Sequence, residues 1–374
     1  MKYYIIAGEA SGDLHASNLM KSLLKLDKNA EFRFWGGDLM QNIGGTLVKH
    51  YRDLAYMGFV EVIMNLSTIL NNIKFCKNDL IKYQPDILIL VDYPGFNMRI
   101  AEFAKQNKIK VHYYISPQIW AWKENRIKKI KRYVDQMYVI LPFEKDFYEK
   151  KHHFPVHFVG HPLLDGISDR KQVNIDGFIE EQNLNQKPII ALLPGSRKQE
   201  ITKMLSIMIQ MVPKFKDYQF VIAGAPSQDL KFYQQFTHQN NVSIVENKTY
   251  DLLSVSYAAL VTSGTATLET ALFKVPEVVC YKGNAISYQI GKRLVKNIKY
   301  ISLVNLILNK EAVTELIQND FNEKRLESEL LHILEKKNRE KVFYNYYELE
   351  QMLGGKGASE KTAKLIIENS NYKI

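Results

Sequence analysis

Ala191-Leu192-Leu193-Pro194-Gly195-Ser196-Arg197-Lys198-Gln199-Glu200-Ile201 is the stretch on which the fold turns. An apolar strand ends at Pro194, a small-residue turn follows, and a charged helix begins at once. α/β proteins build anion sites this way: Gly195 lets a ligand approach the backbone, and the unpaired N–H groups of the new helix point at it. Arg197 adds a fixed cationic fork that matches phosphate oxygens. The stretch lies near the middle of a 374-residue chain, where a second domain would begin. A diphosphate site there points to a two-domain enzyme that uses a nucleotide-activated donor.

Outward from this stretch, strands and helices alternate on both sides. Lys2–Ala7 reads as a strand, followed by a Gly/Ser turn and a helix from about Leu14 to Lys25. Glu31–Trp35 is a second strand, Val62–Tyr83 an amphipathic helix, and Lys110–Ile115 and Gln136–Leu141 further strands. Ile87–Val91 (ILILV) is a continuous apolar run, as a parallel strand buried on both faces requires. In the second half Ile189–Leu193, Gln219–Ala223, Ser243–Val245, Ala259–Val261 and Val278–Tyr281 repeat the pattern. Strands separated by helices imply βαβ units. The expected fold class is therefore α/β, with two Rossmann-like domains whose parallel sheets face a cleft and bind ligands at strand carboxyl ends. The expected domains are 1–165 and 166–345, with a helical tail over 346–374 whose last helix, from about Ser359, can pack back on the first domain.

Composition narrows the classes. Hydrophobic residues at 46% and charged residues at 24% describe an ordinary folded protein. The net charge of +10 suits nucleic acid, an anionic membrane or phosphorylated substrates, or simply solubility. Lys123–Arg132 (KENRIKKIKR) carries six basic residues in ten, just after Trp120 and Trp122. It reads either as a solvated helix face or as a basic, partly apolar membrane-facing surface. Cys76 and Cys280 are far apart, which excludes a disulfide framework or a zinc site. No apolar run reaches the roughly 18 residues of a membrane span, and MKYYIIAG shows no signal-peptide pattern, so a cytoplasmic protein is expected.

Four more turns beyond strands hold candidate chemistry. Glu9, Asp13 and His15 follow the first strand in a run that is Gly-rich without being the dinucleotide fingerprint. Its acids suit sugar hydroxyls, or Asp13 caps a helix. Asp92 ends ILILV; it is either a helix cap or a carboxylate with a job, since burial penalises its charge. Ser116–Trp122 (SPQIWAW) places two tryptophans either in the core or along a cleft. Ser263, Gly264 and Thr265 form a second phosphate cradle, and Glu269 in the helix behind them either accepts a ribose diol or favours the helix dipole. No Asp-x-Asp pair is present to hold a divalent metal on a diphosphate, so Arg197 and the helix N-termini would have to neutralise the leaving group by themselves.

Together these runs resemble the lipid-A-disaccharide synthase family. The matching stretches are GEASGD (8–13), GGD (36–38), MGFVEV (57–62), SPQIWAW (116–122), LPFE (141–144), FVGHPLLD (158–165), LLPGSRKQEI (192–201), SGTATLE (263–269), YISLVNLI (300–307) and GASE (357–360). They keep the family order across nearly the whole chain. The resemblance implies a GT-B glycosyltransferase that joins UDP-2,3-diacylglucosamine to 2,3-diacylglucosamine 1-phosphate with inversion, releasing UDP, and that needs no metal. It implies the cytoplasmic face of the inner membrane as the place of work, and no nucleic-acid partner. It carries the role of general base onto Asp92, the diphosphate grip onto Arg197 with Gly195 and Ser196, and the nucleotide site onto Ser263, Gly264, Thr265 and Glu269. Asn305 matches a substrate-site position that family dimers draw from a partner's swapped region; monomer and homodimer both stay open. Val304 and Thr314 stand where the family often has Pro, and Tyr93 and Gly95 where it commonly has Ala and Asp. No charged site residue is lost by these departures.

The expected chemistry is direct displacement: Asp92 takes the acceptor proton, Arg197 and the helix N-termini hold UDP, Glu269 holds the ribose, and Glu9, Asp13 and His15 orient the sugars. Other GT-B enzymes, such as UDP-sugar epimerases, share the fold and a nucleotide turn but lack GEASGD and SPQIWAW. A non-catalytic membrane binder would have little use for acids at strand ends.

Overall fold

The computed structural model describes residues 1–54, 66–168, 170, 172–237, 242–283 and 299–370. The MGFVEV run and the start of the Val62–Tyr83 helix lie outside these residues; the helix is described from Leu66 to Tyr83. The chain forms two compact units, Met1–Gly166 with Leu353–Ile374, and Ile167–Met352.

In the first unit seven strands form one sheet: β1 (Lys2–Ala7), β2 (Glu31–Gly36), β3 (Thr46–His50), β4 (Ile87–Val91), β5 (Lys110–Tyr114), β6 (Gln136–Val139) and β7 (His157–Phe158). Their order is β3-β2-β1-β4-β5-β6-β7, and every pairing is parallel. The chain winds outward from β1 in one direction and from β4 in the other. The crevice at the carboxyl ends of β1 and β4 is thus the switch point where such sheets hold ligands. All five residues of ILILV are buried, as its unbroken hydrophobicity demands. Polar groups in this core are paired: the Tyr4 hydroxyl accepts from Trp35 Nε1 at 2.8 Å and donates to Asp79 at 2.7 Å, and Arg33 forks onto the same carboxylate at 2.8 and 2.7 Å.

The helix Ala358–Glu368 returns to this unit and packs on the helix Ala10–Leu26. Asp165 anchors its start by accepting the Gly357 and Ser359 N–H groups at 2.7 and 3.0 Å. Gly160, at φ +93°, lets the outgoing chain run beside the returning one; a Cβ there would lie 3.2 Å from the Leu353 carbonyl oxygen, which already accepts the His161 N–H.

In the second unit β8 (Ile189–Leu193), β9 (Gln219–Gly224), β10 (Ser243–Glu246), β11 (Ser256–Thr262), β12 (Glu277–Tyr281) and β13 (Glu315–Ile317) follow the order β10-β9-β8-β11-β12-β13, again all parallel. Its switch point lies between β8 and β11. Three strands, β3, β7 and β13, go beyond those the sequence pattern marks. Each sits at a sheet edge, and the last two have only two and three residues, so none needs the long apolar run that marks a central strand.

Candidate active site

The second unit carries a hollow of about 250 Å³ at its switch point. The turns after β8 (Leu193–Ser196) and β11 (Thr262–Ala266) line it, with Ala223, Ala225, Thr249, Glu200 and Glu269. Two helices begin there, Lys198–Met208 behind the first turn and Thr265–Leu272 behind the second. Gly195 holds φ +101°, a backbone conformation that other residues rarely adopt, and a Cβ on it would also have to push the Glu200 carboxylate aside. The turn is braced by Ser227 and Gln228, both donating to the Ser196 carbonyl at 3.1 Å. Arg197 is the N-cap of its helix and is exposed. Thr262 Oγ1 is buried in the lining with no hydrogen-bond partner among the described residues. A polar atom so placed invites a ligand's donor or acceptor. The structure therefore brings Gly195, Ser196, Ser263, Gly264, Thr265 and Glu269 around one cavity.

Glu269 is a half-buried carboxylate of that cavity. Burial pushes it above the usual carboxylate range, while the Tyr250 hydroxyl, donating to Oε1 at 2.8 Å, pulls it back. Asn305 is placed differently. It is fully buried, its amide nitrogen donates to the Val313 carbonyl and to Glu315, and its oxygen accepts the Ala312 and Val313 N–H groups. Every amide bond it can form is thus made inside its own unit. Its reach to the cavity is indirect: Glu315 also accepts the Ile301 and Ser302 N–H groups at 2.9 Å, and the Ser263 hydroxyl donates to the Ile301 carbonyl at 3.0 Å.

In the first unit Glu9 and Asp92 stand at the carboxyl ends of the adjacent strands β1 and β4. Glu9 occupies the N-cap position of its helix but makes no side-chain capping bond. Asp92 is half-buried, and its carboxyl is pushed up to about 6, first by burial and then by the Glu9 charge. Its backbone and that of Tyr93 are both left-handed, at φ 45° and 49°. Such strain persists only where the surroundings enforce it. Here the Asp92 carbonyl accepts from the Tyr113 hydroxyl at 2.6 Å and from Asn97 Nδ2 at 2.7 Å. Gly8 makes room for the Tyr93 ring, which any Cβ there would strike. Asp92 does not cap the helix Pro94–Gln106; its N-cap is Tyr93.

Asp13 and His15 are buried residues of the helix Ala10–Leu26. Both Asp13 oxygens are spent on backbone donors: Gly37 and Met40 N–H to Oδ1 at 2.7 and 3.1 Å, and Leu39 N–H to Oδ2 at 3.0 Å. It caps the helix Asp38–Gln41, not the helix it belongs to. His15 is buried, its ring held down to about 4 by desolvation. His161 is buried too, held down to about 3 by burial and by the charge His15 would carry. Both rings are thus neutral at neutral pH, and His15 Nδ1 has no hydrogen-bond partner among the described residues.

The SPQIWAW loop is pinned by a residue its own sequence does not single out. The buried Glu144 accepts the Ser116 hydroxyl at 2.6 Å and the Leu141 N–H at 2.9 Å, and burial raises its carboxyl to about 7. Trp120 packs edge-on against Phe143, while Trp122 is 48% exposed with Lys123 Nζ 4.2 Å from its ring centre. The following helix Ile127–Tyr133 buries Ile127, Ile130 and Tyr133 and leaves Lys128, Lys129, Lys131 and Arg132 in solvent. Among the described residues no group of three or more His, Cys, Asp and Glu is placed to hold a metal ion, and no helix is long and apolar enough to cross a membrane.

Two α/β units with parallel sheets, one of them with a hollow between two helix N-termini at its switch point, define the GT-B class. Solved structures agree on the fold: UDP-GlcNAc 2-epimerase from Neisseria meningitidis bound to UDP-GlcNAc aligns with TM-score 0.71 over 99% of this chain and 100% of that one, at 14% identity. The kitacinnamycin glycotransferase aligns with TM-score 0.65 over 99% and 98%, at 12% identity. The profile of the lipid-A-disaccharide synthetase family matches residues 3–367. Lipid-A-disaccharide synthases from Geobacter sulfurreducens and Syntrophus aciditrophicus are 36% and 38% identical, each covering 97% of this chain and 96% of their own. The chain belongs to the lipid-A-disaccharide synthetase family; it is a hexosyltransferase of lipid A biosynthesis.

Proposed function

We propose that the chain condenses UDP-2,3-diacylglucosamine with 2,3-diacylglucosamine 1-phosphate, with inversion at the anomeric carbon, to give the disaccharide 1-phosphate and UDP. The observation that carries the donor half is the cavity at the β8–β11 switch point, where two helix N-termini meet the half-buried Glu269. Helix N-termini and Arg197 stabilise the charge that grows on the departing UDP, without reorganising when the bond breaks. Glu269 accepts the ribose hydroxyls. Asp92 takes the proton of the acceptor hydroxyl as it attacks; a carboxyl near 6 is a better base than one at the ordinary aspartate value, and it is mostly ionised at neutral pH. Glu9 orients the acceptor beside it. Asp13 braces the start of the helix Asp38–Gln41, His15 Nδ1 is left to accept or donate to a sugar hydroxyl, and Asn305 positions the segment that Ser263 holds.

Incubating the protein with both acylated sugars tests this reading: UDP and a disaccharide in equal amounts are expected, with the inverted linkage seen by NMR. UDP release without disaccharide would reduce the activity to hydrolysis. We propose further that no metal takes part, because the sequence has no Asp-x-Asp pair and the cationic groups above serve the diphosphate. Undiminished turnover in EDTA is the expected result.

Exposed Trp122, flanked by Lys123 and Arg126 and followed by the basic helix face, supports contact with an anionic membrane surface, on the cytoplasmic face of the inner membrane. Flotation with vesicles containing anionic lipid, lost at high salt, is the check. A homodimer is also proposed, with one restriction: Asn305 has no amide bond left to offer a partner, so any exchange must carry its whole surrounding segment. Light scattering reads the copy number.

A further inference from the structure

Glu269 does not meet its cavity unaided. The Tyr250 hydroxyl donates to Glu269 Oε1, and the Tyr250 ring is fixed by its own neighbours. The Phe273 ring lies 5.2 Å away between centroids, and the Arg170 guanidinium lies 5.2 Å from the Tyr250 ring centre. Arg170 is ion-paired in turn to the side chain of Asp251, the residue after Tyr250, so the arginine is held over the ring by its neighbour's carboxylate. Burial pushes the Tyr250 phenol far up, which keeps it a proton donor at all working pH values. Its bond uses one lone pair of Oε1, fixes the rotation of the carboxylate, and leaves Oε2 for a ligand. Thr249, next to Tyr250, lines the cavity itself.

We propose that Tyr250 is a positioning residue that holds Glu269 aimed at a vicinal diol, and that it thereby sets the preference of this cavity for ribonucleotides over 2′-deoxyribonucleotides. The inference rests on the reading of the cavity as a UDP site. A carboxylate free to rotate shares its oxygens with water and gains little from the second hydroxyl. One fixed by a buried donor has its accepting oxygen already in place, and the cost of ordering it is met before the ligand arrives.

The test is calorimetric binding of UDP and of 2′-deoxy-UDP to the full chain and to Tyr250→Phe, which keeps the ring and its contacts with Arg170 and Phe273. The intact protein is expected to prefer UDP by about tenfold or more, the effect of one hydrogen bond to a charged group. In Tyr250→Phe the preference is expected to fall to about threefold or less, with a circular-dichroism spectrum like that of the parent. A merely structural tyrosine would weaken both nucleotides equally and leave the ratio intact, which overturns the proposal. Arg170→Met is the second variant: it loosens the ring without touching the cavity lining, and the same ratio is expected to fall part way. An unchanged ratio in Arg170→Met, should Tyr250→Phe fail to fold, also overturns it. If the intact protein binds UDP without preference over the 2′-deoxy form, this proposal fails while the UDP reading stands; if it binds neither, the UDP reading itself fails.

Discussion

Replacing Asp92 by asparagine is expected to abolish most activity and, above pH 6, to stabilise the protein. The carboxyl titrates near 6 rather than the ordinary 3.8, because burial and the Glu9 charge disfavour its ionised form. The difference corresponds to about 3 kcal/mol of strain on the folded state when the group is ionised. Partial solvent access reduces this, and about 1–3 kcal/mol is a fair expectation. The sign follows from linkage. The folded chain holds this proton more tightly than the unfolded one, so ionised Asp92 costs stability fully above about pH 6, and the cost fades as pH falls toward 4. Asparagine removes the charge and also tolerates the left-handed backbone at φ 45°. The second effect does not depend on pH, so the two separate cleanly. Differential scanning fluorimetry at pH 5 and pH 8 should show a larger gain in Tm at pH 8, by about 2–6 °C. Turnover should fall by about 10²–10⁴-fold, as for loss of a general base. An equal Tm gain at both pH values would refute the buried-charge argument, and near-normal turnover would remove Asp92 as the base.

Three further outcomes follow from the same geometry. Glu9→Gln should lower the acidic limb of the kcat/KM profile, but by less than about one pH unit, since burial outweighs Glu9 in raising Asp92; a limb that rises would contradict their coupling. Gly195→Ala meets both the positive φ and the Glu200 carboxylate, so calorimetry should show UDP binding weakened by about tenfold or more. Asp13→Ala strips three backbone N–H groups of their acceptor and should cost about 2–4 kcal/mol in urea unfolding, while the KM values of the folded fraction stay near those of the parent; raised KM without lost stability would return Asp13 to the sugars.

The central strands were legible because burial on both faces leaves a mark in the sequence: ILILV and IIALL are runs that few other contexts tolerate. The cradle after β8 was legible for a similar reason, since a positive-φ glycine before a helix start is a local requirement. The partners of the acids were not legible, because those partners come from distant segments. Glu9, Asp13, Asp92 and Glu269 look alike in the sequence, each an acid just past a strand. What separates them is the number of donors the fold supplies. Asp13 receives three N–H groups because β2 ends beside it and starts a helix there, a fact carried by residues 24 to 27 positions away. Glu269 receives one hydroxyl from a tyrosine in a run, KTYDLL, that has no motif of its own. Asp92 shares a corner with another acid, and its strained backbone is held by Tyr113 and Asn97. A buried carboxylate supplied with donors is a structural element, and one left short of them holds its free energy in reserve for a ligand or a proton. Of these four acids, Asp92 and Glu269 are the pair we propose for chemistry, with carboxyls that burial raises, and Asp13 is the cap that braces the helix Asp38–Gln41.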